Sequence, residues 1–208
     1  VPDHERGESP TSASNTARTK NAYRTLRSAV KYSPEPVRSI AVCSPMPKDG
    51  RTSVAVGLAC ALAESTDARV ILIEADLRRP HIKSELKIDT SDGLADVLLN
   101  KVGITKALSK TAVRNLFVLT SSSYQTATSV NPSDVLDSDN MKDLLDALYE
   151  QFDYIIIDTP ATLLVPDATC IAGKVDACLM TLRYGHTSMD ALKTSINTLE
   201  NTGARILG

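Results

Sequence analysis

Apolar residues fall along the chain in short, nearly unbroken runs separated by longer stretches of helical period. Ser39 to Cys43, Arg69 to Ile73, Asn115 to Leu119, Asp153 to Ile157 and Val175 to Leu182 are the runs, rich in Val, Ile and Leu. Each is too short for a helix and apolar at consecutive positions, which is the pattern of a strand buried on both faces. Ile206 begins a sixth such run. Between the runs, Asn15 to Tyr32 places Ala22, Leu26, Ala29 and Val30 on one side, with Arg18, Arg24, Arg27 and Lys31 on others. Pro34 and Pro36 end that helix, because neither can continue it. Thr52 to Ser65 predicts a helix apolar on nearly every side, and Asp139 to Glu150 an amphipathic one. Shorter helices are expected over Gly93 to Asn100, after Asn131-Pro132 as cap and first residue, over Asp167 to Ala172, and over Ser188 to Asn201. Strands alternating with helices predict an α/β fold: a doubly wound, mostly parallel sheet with helices on both faces.

The polar stretch 1–14, rich in Ser, Pro, Thr and Glu, predicts a disordered lead-in, and 15–208 a single domain. Residues 120–130, rich in Ser, Thr and Ala, predict a mobile loop. The chain begins with Val1 and stops inside an apolar run, so a piece of a longer protein, truncated at its C-terminus, is expected. At 208 residues a core can form without disulfides or metal. Cys43, Cys60, Cys170 and Cys178 lie in apolar segments without metal-type spacing, so reduced, buried thiols are expected. A net charge of −2, no tryptophan and 4% aromatics argue against a nucleic-acid surface. The longest apolar run, Val54 to Ala63, cannot span a bilayer. No signal-peptide pattern is read in these residues, and with the reduced thiols a cytoplasmic location is expected.

In sheets of this kind ligands bind at the carboxyl ends of the strands, and three of those ends carry charge. After the first strand, Ser44 to Ser53 leads directly into a helix. A phosphate loop needs inward-pointing backbone N–H groups, a cation and a hydroxyl for Mg²⁺. Pro47, Lys48, Asp49, Gly50, Arg51, Thr52 and Ser53 are the candidate nucleotide-binding residues. Gly50 and Thr52 match the loop pattern, whereas Arg51 stands in the place of its lysine. The second strand ends in Glu74-Ala-Asp76, two carboxylates on the same side of an extended segment. Asp158 closes the fourth strand after an apolar run, the Walker B arrangement. Any one of these is equally compatible with a capping acid or an ordinary turn. Three in this order point to Mg²⁺-nucleotide chemistry.

Ile71 to Pro80, Phe152 to Pro160, Asn131 to Leu136, Gly93 to Leu98 and Ala22 to Arg27 together resemble the cytoplasmic kinase domain of bacterial tyrosine kinases, P-loop proteins that regulate capsular and extracellular polysaccharide synthesis. The resemblance implies ATP and Mg²⁺ as cofactors and autophosphorylation of tyrosines by transfer between subunits. It implies activation by a transmembrane adaptor of the polysaccharide co-polymerase type, at the inner face of the membrane. Thr52, Asp76 and Asp158 would hold the metal, and Glu74, Asp76, Asp158 and Arg51 would serve catalysis. Glu74 stands where the family has an Asp thought to assist deprotonation of the incoming tyrosine. Arg24 and Arg27 match the arginines of a subunit-contact motif.

Five positions depart from the family pattern: Pro45 and Lys48 replace small residues, Arg51 the phosphate lysine, Glu74 an Asp, and Asn21 the Glu of the contact motif. A guanidinium does not fill an ammonium's pocket, and losing one preorganised donor costs about 10²- to 10³-fold in rate. Weakened ATP and Mg²⁺ binding, a slow kinase and weak self-association are therefore expected. A catalytically dead scaffold of the polysaccharide machinery is the alternative, and a ParA/MinD-type ATPase a second one. Met46 stands where the latter type carries its signature lysine. The histidines are isolated, and most tyrosines are expected to be packing residues.

Overall fold

The structure, a computed structural model, describes residues 17–65, 67–121 and 130–208. The expected lead-in over 1–14 and most of the loop expected over 120–130 lie outside the described residues. Six strands form one sheet: β1 (Ser39–Cys43), β2 (Val70–Glu74), β3 (Ser109–Lys110), β4 (Leu116–Leu119), β5 (Tyr154–Asp158) and β6 (Ala177–Met180). Their order is β3-β4-β2-β5-β1-β6. All pairs are parallel except the short β3 against β4. β1 and β2 are buried at every residue, as unbroken Val/Ile/Leu runs require when helices cover both faces.

Alternate residues of each strand feed two cores. Ile40 and Val42 pack with Val56, Leu58 and Leu62 of α2 (Arg51–Ser65), and with Val30 of α1 (Ala17–Lys31). Ala41 and Cys43 pack on the other face with Leu144 and Leu148 of α7 (Asp139–Tyr149). That face also carries α4 (Leu94–Leu98), α6 (Pro132–Leu136), α8 (Asp167–Ala172) and α9 (Met189–Glu200). α2 is apolar all round because it is covered twice, by the sheet and by α1. The contact with α1 is close: a Cβ on Gly57 would lie 2.1 Å from Cζ of Tyr23. Tyr23 is buried and its hydroxyl donates to the Ser53 carbonyl at 2.9 Å.

Several elements differ from expectation. α3 (Ile82–Glu85), α5 (Ile104–Ala107) and β3 are too short to leave a periodic signal. The fifth expected strand, Val175 to Leu182, is trimmed to β6. Asp176 turns its carboxylate to the Arg38 and Ser39 amides, at 2.7 and 2.8 Å, instead of extending the run. Ile206 forms a single parallel bridge with Cys178 rather than a strand. Cys43, Cys60 and Cys178 are buried free thiols, whereas Cys170 is partly exposed. Of the described tyrosines, Tyr32 and Tyr184 are exposed, the latter fully.

Candidate functional site

The sheet order sets the three charged strand ends side by side. β5 lies between β1 and β2, so Asp158 is aligned with Val42 on one side and Glu74 on the other. The loop after β1 therefore begins beside Asp158, and residues far apart in the chain share one edge of the sheet.

From Ser44 to Pro47 the backbone carbonyls are taken up by neighbouring groups, and from Lys48 to Ser53 the amides are left unspent. Thr162 N–H donates to the Ser44 carbonyl at 2.9 Å and Leu163 N–H to that of Pro45 at 3.3 Å. His186 Nε2 lies 3.1 Å from the Pro47 carbonyl. Asp49 accepts Met46 N–H at 3.0 Å and the Thr187 hydroxyl, which ties the loop after β6 to this one. Lys48 and Gly50 hold positive φ, 69° and 88°. The left-handed turn at Lys48 is the physical reason for a small residue there, and lysine adopts it at a cost of about 1 kcal/mol. Lys48 itself is exposed. Among the described residues, the first backbone hydrogen bond of α2 is Val54 N–H to the Gly50 carbonyl at 2.9 Å. The consecutive N–H groups of Lys48, Asp49, Gly50, Arg51, Thr52 and Ser53 donate to no described acceptor. Free amides at a helix start form an anion cradle.

Arg51 is folded into this loop. Its Nε donates to the Thr159 carbonyl at 2.6 Å, its Nη1 to Ser44 Oγ at 2.8 Å and to the Met46 carbonyl at 3.4 Å. Its Nη2 reaches Asp76 Oδ2 at 3.4 Å. Thr52 Oγ1 donates to Asp158 Oδ2 at 2.7 Å. Asp158 is almost wholly buried and its Oδ1 has no hydrogen-bond partner. Burial pushes its carboxyl up to about 7, against the opposing pull of the Thr52 hydroxyl and Arg51. Asp76 accepts Arg79 N–H at 2.9 Å, and burial raises it as well.

Glu74 is spent differently. One oxygen accepts His81 and Ile82 N–H at 2.5 and 2.6 Å, and the other accepts Ser121 N–H at 3.0 Å. The carboxylate knits the end of β2 to the start of α3 and to Ser121 after β4, using three of its roughly four acceptor positions. Arg24 donates to Asn21 Oδ1 on its own helix at 3.3 Å, and Arg27 to the Ala61 carbonyl at 3.4 Å. Both lie on α1, apart from the strand-end cluster.

A divalent ion fits the acids present. Mg²⁺ is held by one or two carboxylates with phosphate oxygens rather than by an all-protein cage. The orphaned Asp158 Oδ1 beside the Thr52 hydroxyl suits such an ion or one of its waters, and no group of three metal-ligating side chains stands among the described residues.

Sequence reasoning missed Asp167. It is fully buried and grips Arg78 from 89 positions away. Its signal, an acid in the first turn after Pro166, is shared by many ordinary helix starts.

Comparison with known proteins bears on the family and the fold. The AAA domain family model matches residues 37–206. The tyrosine-protein kinase CpsD of Streptococcus pneumoniae serotype 4 is 32% identical over 89% of this chain and 80% of its own. The tyrosine-protein kinase ptk of Acinetobacter johnsonii is 33% identical over 89% of this chain, which spans about a quarter of that protein. The kinase domain of Escherichia coli tyrosine kinase Etk superposes with a TM-score of 0.85 at 28% identity, over 91% of this chain and 73% of that one. The cell-division ATPase MinD of Pyrococcus furiosus follows at 0.66 and 27% identity, over 82% and 70%. The fold and the site thus define a P-loop protein of the AAA domain class. Within that class, the chain belongs to the bacterial tyrosine kinases.

Proposed function

We propose that this domain binds Mg²⁺-ATP at the β1–α2 loop and transfers phosphate to tyrosine, slowly, in the control of capsular or extracellular polysaccharide synthesis. The observation that carries the reading is the run of six unspent amides, Lys48 to Ser53, ending at the Thr52–Asp158 hydrogen bond of 2.7 Å. Those amides would hold the phosphates, and Pro47 would frame the loop. Arg51 would supply the cation, and Thr52, Asp76 and Asp158 would hold Mg²⁺, which supplies charge neutralisation at the transferring phosphate. Pro45 supports this arrangement, since it lacks an N–H in any case and its carbonyl is satisfied by Leu163.

A second reading, a scaffold that binds nucleotide without transferring phosphate, is favoured by one observation: three backbone amides already occupy Glu74, which leaves one acceptor position, on Oε2, for it to act as a base. Incubation with γ-labelled Mg²⁺-ATP and a tyrosine-containing polypeptide separates the two. Label on tyrosine above that of a Thr52→Ala control supports the kinase. Nucleotide binding without any transfer supports the scaffold.

The partner would be a transmembrane adaptor of the polysaccharide co-polymerase type, which would place the domain at the inner face of the membrane. No helix among the described residues is long and apolar enough to cross a membrane. Self-association has its own support. α1 carries five cations and no acid, and none of them meets a carboxylate among the described ion pairs. Lys20, Arg24, Arg27 and Lys31 repeat at the spacing of Asp139, Asp143, Asp146 and Glu150, exposed acids on and just after α7. The two stripes cover opposite faces of the sheet, so they can meet only between copies, head to tail. Asn21, neutral and turned to its own Arg24, weakens that contact.

A further inference from the structure

Two of the family-like segments, Ile71 to Pro80 and Asn131 to Leu136, meet at one buried carboxylate outside the strand-end cluster. Asp167 Oδ2 accepts Arg78 Nε at 2.9 Å and Oδ1 accepts Arg78 Nη2 at 3.1 Å, a fork-to-fork pair. Ser133 Oγ donates to the same Oδ1 at 2.6 Å. Arg78 Nη2 also lies 3.2 Å from Ser133 Oγ and 3.0 Å from Asn131 Oδ1. Asn131 is itself fixed as the cap of α6 by accepting Ser133 N–H at 3.3 Å. One side chain of the β2–α3 turn is therefore anchored to the starts of two helices on the opposite face of the sheet from α3.

The same turn presents Asp76, two residues before Arg78. Its Oδ1 takes Arg79 N–H at 2.9 Å, while its Oδ2 meets Arg51. Arg78 is one of the two residues, with Leu77, between the carboxylate and the Arg79 amide that it accepts. With Arg78 pinned, the turn has one conformation and Asp76 points at the phosphate loop. With Arg78 released, the ends of the turn stay fixed by Glu74 and by buried Leu77, while the Asp76 carboxylate itself keeps its backbone hydrogen bonds and its pair with Arg51 but loses the side-chain anchor beside it. Ligating carboxylates generally depend on such supporting contacts for their aim.

We propose that Asp167 and Arg78 are positioning residues for Asp76, acting through the Asp76–Arg79 turn rather than by contact with nucleotide. The metal role of Asp76 rests on the function proposed above, so the test has one arm that needs no ligand. In the nucleotide-free chain, hydrogen exchange of the Arg79 amide in Asp167→Asn is expected to rise about tenfold over the unaltered protein. Amides of β1 and β5 serve as the reference and stay within twofold. An Arg79 amide also unchanged within twofold overturns the proposal, whether or not nucleotide binds.

The second arm titrates ADP with and without Mg²⁺ by calorimetry. Asp167→Asn is expected to lower the gain in affinity that Mg²⁺ confers by about tenfold and to leave metal-free ADP affinity within twofold. It should add nothing to an Asp76→Asn variant. Equal loss with and without metal, or losses additive with Asp76→Asn, overturn the positioning role. Should Asp167→Asn fail to fold, Arg78→Lys keeps the buried charge paired while removing the fork, and the same directions are expected at about threefold. Absence of any nucleotide binding by the unaltered chain sinks the proposed function and leaves the exchange arm to decide this inference.

Discussion

The guanidinium of Arg51 lies 3.4 Å from the carboxylate of Asp76, so the cation at the phosphate-lysine position is already paired to an acid of the second strand end. Three further contacts, to the Thr159 and Met46 carbonyls and to Ser44 Oγ, hold it in the loop. Arg51 thus links the phosphate loop to the ends of the second and fourth expected strands. On the proposed function, phosphates and Mg²⁺ would compete with Asp76 for Arg51. Lysine has no fork and cannot hold all four contacts. Arg51→Lys is expected to tighten Mg²⁺-ATP binding about tenfold, or about 1.4 kcal/mol. Calorimetry of the two proteins side by side checks this, and weaker binding by the variant would contradict it.

Asp158 gives the metal-free chain a pH signature. Its folded carboxyl is raised to about 7 by burial, above an unfolded value of about 3.9. The folded state then binds the extra proton between those values, so this group's contribution is full below about pH 4 and is lost as pH rises through 7. Stability is expected to fall across that window with a slope of at most ~1.4 kcal/mol per pH unit from this group. Asp158→Asn removes the slope and is more stable than the unaltered chain at pH 8 without Mg²⁺. Urea unfolding at pH 5 and pH 8 tests it; a variant destabilised more at pH 8 than at pH 5 would count against it.

Gly57 and Tyr23 set how closely α1 approaches α2. A methyl at Gly57 would overlap the Tyr23 ring, so Gly57→Ala is expected to cost about 1–3 kcal/mol. The effect should be smaller in a Tyr23→Ala background, because the clash is gone. A double-mutant cycle by thermal unfolding measures the coupling, and additive costs would show that α1 packs elsewhere.

Charge on α1 predicts salt-sensitive association. Sedimentation at low ionic strength should show assembly that dissolves in high salt, where the Debye length shrinks to about 3 Å at 1 M. Reversal of both Arg24 and Arg27 to Glu should abolish it, and a further reversal of Asp143 and Asp146 to Lys should restore part of it. Assembly indifferent to salt and to these charges would place the contact on another surface.

What the sequence shows of this protein is what neighbouring residues can settle among themselves. β1, β2 and β5 are legible because each is an unbroken apolar run. The loop from Ser44 to Ser53 is legible because Gly50 and Thr52 sit at fixed offsets from a helix start. α2's all-round apolarity already announces the double covering that Tyr23 and Val30 complete. The strand-end acids were found, but their separate uses were not. Glu74 caps three amides from segments 7, 8 and 47 positions away, and only the folded chain brings these together. Arg78 and Asp167 are 89 positions apart and carry no shared periodicity. Lys48 reads in the sequence only as a departure from a small residue, whereas the fold gives it a left-handed backbone and an exposed side chain. β3 and the single bridge at Ile206 have too few residues for a period.

The central claim is that the cradle from Lys48 to Ser53 is built to hold phosphates despite Arg51, Pro45 and Lys48. Titration of Mg²⁺-ATP and Mg²⁺-ADP into the unaltered chain by calorimetry tests it most directly. Micromolar binding of both, lost in Thr52→Ala, is the expected result. No heat of binding from either nucleotide, in the unaltered chain and in Arg51→Lys alike, would show that the six free amides do not form a phosphate site.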